Sequence, residues 1–116
     1  MTTALHYPSP LASLPDAQFT WLDHDGTPID FTSGYLFRVT VGRPPEPAVI
    51  TKTSNIIGSA SSTMRDPNLT VVWQPNELSV LTPGIWYFQI TATEINSGGK
   101  QRILSGSLKI DSPAIV

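Results

Sequence analysis

The chain contains no cysteine. This excludes disulfides, thiol catalysis and cysteine-type zinc centres, and leaves the core to be built from apolar burial alone. Charge is also scarce: 14% of the residues are charged, where an average soluble domain carries about a quarter. Seven basic against nine acidic residues give a net charge of −2. The nearest thing to a basic cluster is Lys100 with Arg102, so no nucleic-acid partner is expected. No apolar run approaches the roughly 20 residues that span a bilayer, and no membrane partner is expected. Met1 to Pro10 lacks the basic and apolar segments of a secretion signal. On this reading the Asn68-Leu69-Thr70 sequon is a chance occurrence.

Catalytic groups are equally thin. The two histidines are His6 and His24, and no Ser-His-Asp order stands out among the many serines. Gly98-Gly99-Lys100 lacks the strand-to-helix setting of a phosphate loop. Asp23, Asp25 and Asp30 lack the spacing of a known calcium loop. Their expected role is to bond local backbone amides in turns. The expectation is a protein without catalytic residues, cofactor or metal.

Proline is abundant, with eleven in 116 residues. These leave few windows for a helix, and the windows that remain are rich in Thr, Val and Ile. Apolar residues alternate with polar ones in several short runs. Phe19 pairs with Trp21 in phase, and Tyr35, Phe37, Val39 and Val41 share one face. Leu69, Val71 and Trp73 form another row, as do Trp86, Phe88, Ile90 and Ala92, and then Leu104, Leu108 and Ile110. Pro44, Pro45 and Pro47 break the chain after Val41. Asn76 to Leu81 reads as a connector with one helical turn at most. Asp25-Gly26, Pro83-Gly84 and Gly98-Gly99 are turn signals, because glycine takes positive φ without a Cβ clash. About seven short strands separated by turns predict an immunoglobulin-like antiparallel β-sandwich over residues 16–111. Residues 1–15, with three prolines, read as an extended N-terminal arm, and 112–116 as a tail.

Trp21, Trp73 and Trp86 sit on the apolar phase of their strands. Packing between two sheets is their expected role, with a sugar-stacking platform as the alternative. Ile85 and Tyr87 fall on the opposite phase from Trp86. An apolar pair on an outer face marks an interface unless something covers it. Together with Leu5, Tyr7 and Leu11 in the arm and Pro44 and Pro45 in the loop, they form the expected protein-contact set.

The order of these motifs resembles the N-terminal domain of phage baseplate upper proteins. The match runs from about Asp16 to Ile110. It rests on Asp23, Asp25, Gly26, Pro28, Ile29, Asp30, Phe31 and Gly34, continues through Leu36 and Arg38 to Pro83, Gly84 and Trp86, and closes on Gly106, Leu108 and Ile110. Phe31 stands where that family carries Leu, and Trp86 where it carries Tyr. The resemblance implies a sandwich and a virion setting. It also implies a structural, non-enzymatic role in contact with other virion proteins and further copies of the chain. Tail or baseplate is the first expectation, and head decoration or head–tail joining the alternative. A carbohydrate- or receptor-binding module, with a host-surface glycan as ligand, is a further alternative. It would require an exposed aromatic ring with polar groups converging on it.

Overall fold

The computed structural model describes residues 2–7 (backbone only), 16–61, 63, 66–74, 77–78, 80–96 and 98–110. The expected tail and Leu11 lie outside these residues. Eight strands are present among them: β1 (Thr2–Tyr7), β2 (Ala17–Phe19), β3 (Tyr35–Gly42), β4 (Ile50–Lys52), β5 (Ile56–Gly58), β6 (Leu69–Val71), β7 (Gly84–Glu94) and β8 (Gln101–Ile110). Two sheets form, ordered β1-β8-β7-β3-β4 and β2-β6-β5. Antiparallel pairing runs throughout except between β1 and β8, which are parallel. The sequence reading made residues 1–15 an arm. Within it Thr2–Tyr7 is extended and hydrogen-bonded along the edge of β8. Period-two alternation carries no record of strand direction, so this parallel pair was not legible.

The order β8-β7-β3-β4 facing β2-β6-β5 is that of an immunoglobulin-type sandwich, G-F-C-C′ against B-E-D. The core lies between the sheets and takes the rows that alternation marks. Trp86, Phe88, Ile90 and Ala92 from β7 meet Phe19, Leu69 and Val71 from the smaller sheet. The three indoles are 4–6% exposed. This settles the choice the sequence left open: the tryptophans are core and supply no platform for a sugar. Asn76 to Leu81 forms no helix among its described residues, but Leu78 and Leu81 are buried and close one end of the core.

In antibody domains a disulfide joins strands B and F. Here the Phe19 and Phe88 rings join the same two strands, with centroids 5.8 Å apart. Two residues before Phe88, the Trp86 indole N–H donates to the Thr82 carbonyl at 2.8 Å. Immunoglobulin domains place a tyrosine there, bonded back to upstream backbone. Trp86 performs that corner function with a larger ring, and the Arg43 guanidinium covers the ring at 3.8 Å. Trp86→Phe keeps a ring but removes the bond to the Thr82 carbonyl and leaves part of the indole's buried space unfilled. We expect a cost of about 1–3 kcal/mol, read as a lower urea midpoint with an unchanged slope.

The turns follow the glycines. Gly26 has φ of 81°, and Gly98 and Gly99 have φ of 75° and 84°. At Gly58 the reason is different: a Cβ there would collide with the Phe31 backbone, so the close crossing of β5 over Phe31 requires glycine.

Candidate functional site

The outward face of the larger sheet is polar at its centre and apolar at its ends. β7 turns Ile85, Tyr87, Gln89 and Thr91 away from the core, and β8 turns Ile103, Ser105, Ser107 and Lys109 the same way. Register sets them side by side: Ile85 with Lys109, Tyr87 with Ser107, Gln89 with Ser105 on one flank and Thr40 on the other. Ile85 and Tyr87 are 53% and 52% exposed. Alternation put both on the phase opposite Trp86 and left open whether anything covers them; both side chains are half-exposed.

The loop from Arg43 to Ala48 rises beside them. Arg43 anchors it, because its guanidinium donates to the Ile85 carbonyl at 3.2 Å and the Pro83 carbonyl at 3.4 Å. A turn follows, with Glu46 N–H donating to the Arg43 carbonyl at 2.9 Å. Pro44 and Pro45 are joined by a cis peptide bond and are exposed. Loop and sheet enclose a cavity of about 430 Å³ lined by Thr40, Pro44, Glu46, Tyr87, Gln89 and Ser107 among others. Two of the expected contact residues, Pro44 and Tyr87, thus meet at one site although 43 positions separate them, and Ile85 lies two residues along the same strand. Leu5 and Tyr7 sit elsewhere, at the far edge, paired through the backbone with Leu108 and Ile110.

Thr40, Glu46, Gln89 and Ser107 had no place in the sequence-based set. Alternation marks three of them as outward, but nothing local says that the loop folds back over Gly42 to wall them in. A Cβ on Gly42 would lie 3.0 Å from the Ala48 Cα, and that closeness is a property of the folded loop.

No known protein family and no curated protein matches this chain. The residues themselves therefore carry the functional argument.

The acidic loop between β2 and β3 is a turn device, as the spacing of its aspartates predicts. Asp23 Oδ1 accepts the amides of Asp25 at 2.9 Å and Thr27 at 3.0 Å. Asp30 Oδ1 accepts the Thr32 amide at 2.9 Å and also its hydroxyl. His24 is exposed at the tip, with Nε2 3.4 Å from Asp25 Oδ1. The amide of Thr27 holds the Asp23 carboxyl below its ordinary range, and the Thr32 hydroxyl does the same for Asp30. A depressed folded value stabilises the protein above the unfolded carboxylate range and loses that contribution as pH falls through the folded value. Stability should therefore decline as pH drops below about 4. Asp23→Asn, which keeps the acceptor without the charge, should flatten the decline. Urea midpoints measured from about pH 6 down to about pH 2.5 test this; identical slopes in both proteins would contradict it.

Proposed function

We propose that this chain is a non-enzymatic structural module that works by surface contact, and that its setting is a bacteriophage virion. The observation that supports the contact role is the outer face of the larger sheet. There Ile85 and Tyr87 stand half-exposed beside a cavity whose proline wall is pinned by Arg43. A pinned wall costs little ordering on association, which favours binding without rearrangement. Sparse surface charge adds little repulsion between copies. The virion setting rests on the sequence resemblance alone. Within it, tail or baseplate is the first position, and the head surface or the head–tail junction the alternative. The partners on this reading are other virion proteins and further copies of the chain, with assembly in the host cytoplasm.

Ile85→Thr with Tyr87→Thr tests the contact face. Both sites are exposed and threonine suits a strand, so folding stability should stay within about 1 kcal/mol of the parent. The variant should fail to enter particles when it replaces the parent chain. Particles carrying it at full copy number would remove the outer face from the proposal. Purified complete particles that lack the parent chain would remove the virion setting.

A further inference from the structure

We propose that an aromatic mouth between the two sheets is a binding site for a neutral saccharide. It is separate from the outer face and does not depend on the assembly reading. The mouth arises because neighbouring strands differ in reach. β3 begins at Tyr35, but β4 pairs only with Val39 to Val41, and β5 is three residues long. Val39 and Val41 are buried as a result. Tyr35 and Phe37, on the same face of the same strand, remain half-covered. The opening has a volume of about 570 Å³ and is lined by Phe31, Tyr35, Phe37, Ile56, Ser33 and Thr53 among others.

The rings are held before any ligand arrives. Tyr35 and Phe37 lie 6.2 Å apart with planes 18° from parallel. Phe31 meets them edge-on, at 4.9 Å and 79° for Tyr35 and at 5.4 Å and 75° for Phe37. Trp21 backs Phe31 at 5.3 Å. The Tyr35 hydroxyl donates to Glu94 Oε1 at 3.2 Å, and Arg102 Nη2 lies 3.6 Å from that same oxygen.

Two near-parallel, partly exposed rings bring aromatic surface to the opening, and a pyranose presents an apolar face of C–H bonds with hydroxyls around its rim. The hydroxyls of Ser33 and Thr53, both exposed, lie in the lining where they can exchange hydrogen bonds with that rim. Among the described residues the lining carries no charged side chain, which matches a neutral ligand and disfavours an acidic or phosphorylated one. A volume in this range suits a small ligand rather than a domain. The rival occupant is an added peptide strand, because Tyr35 to Arg38 has a strand neighbour on one side only among the described residues. Paired rings with hydroxyls at the rim favour the sugar.

The test is an amide NMR titration of the intact chain. The probes are methyl glycosides of glucose, galactose, mannose and N-acetylglucosamine, tetrasaccharides of the same sugars, a sialylated trisaccharide and an extended valine-rich peptide. A neutral sugar should give saturable shifts centred on Phe31, Ser33, Tyr35, Phe37 and Thr53, and the sialylated probe weaker ones. Phe37→Leu keeps apolar volume but removes a ring, and should weaken binding at least about tenfold. Ile103→Thr, on the outer face, should leave binding unchanged. The inference is overturned by the absence of saturable shifts with every neutral sugar. Shifts at Thr40, Tyr87 and Gln89 instead, binding of the peptide alone, or full affinity in Phe37→Leu would overturn it equally.

Discussion

Asn68→Ala should cost about 3–5 kcal/mol, because the buried Trp21 amide and Ile29 carbonyl lose their partner together and the Trp21 carbonyl is left with the Ile29 amide. Asn68 is 0% exposed. Its Oδ1 accepts the Trp21 amide at 2.7 Å, and its Nδ2 donates to the carbonyls of Trp21 and Ile29, both at 2.8 Å. Its own amide donates to the Phe19 carbonyl at 2.9 Å, and its carbonyl accepts from Ser59 at 3.0 Å. The side chain thus imitates a peptide unit. It continues the β2–β6 ladder one step past the last backbone pair and clips the loop that leads to β3. A small domain has roughly 5–15 kcal/mol in total, so the variant should melt about 10–25 °C lower. Asn68→Asp sharpens the test. It keeps an acceptor for Trp21 but sets a carboxylate against two carbonyls, so its folded carboxyl should titrate above the ordinary range. Such a group stabilises most below its unfolded value, and the contribution is lost as pH rises through the folded one. Asn68→Asp should therefore lie closest to the parent in acid and furthest from it at neutral pH. A gap between the two proteins that does not change with pH would show that water reaches the site.

Glu77→Ala should be comparably damaging, at about 3–5 kcal/mol. Lys52 is 7% exposed although it is charged. Its Nζ donates to Glu77 Oε1 at 2.8 Å, to Oε2 at 2.9 Å and to the Val72 carbonyl at 3.0 Å, and it lies 5.6 Å from the Trp73 ring centre. Glu77 Oε1 also accepts the Gln74 amide. The pair ties β4, the edge of the larger sheet, to the segment that follows β6. Removing Glu77 leaves a buried ammonium with the Val72 carbonyl and the Trp73 ring beside it among the described residues. Removing both charges is a different matter, because the desolvation of two ions disappears with them. Lys52→Met with Glu77→Leu should recover most of the loss or exceed the parent in stability. A double variant as unstable as Glu77→Ala would show that the carboxylate matters through Gln74 and the turn rather than through the lysine. Chemical denaturation of the parent, Lys52→Met, Glu77→Leu and the double variant completes the cycle.

Neither residue stood out in the sequence. Asn68 looked like part of a stray sequon, and its burial means that the folded chain does not present it to solvent at all. Lys52 lies inward on β4, and a lysine argues against burial unless a partner is known. That partner is 25 positions away. The same limit applies to the two sites. The outward phase of Ile85 and Tyr87 was legible, as were the prolines near them, but the cavity between them needed the fold. Tyr35 and Phe37 were correctly put in phase with Val39 and Val41. The alternation had no means of showing that cover fails over half of that row.

The residue order by itself determined the local terms: strand phase, turn positions, the aspartate caps, and tryptophans on the core side. Each depends on groups within a few residues of one another, where backbone sterics and period-two geometry act alone. Only the tertiary structure decided the parallel edge strand, the buried polar pins, the walled cavity and the half-open aromatic row. These depend on which strands become neighbours and how far each one reaches, and those distances are set by packing across the whole chain.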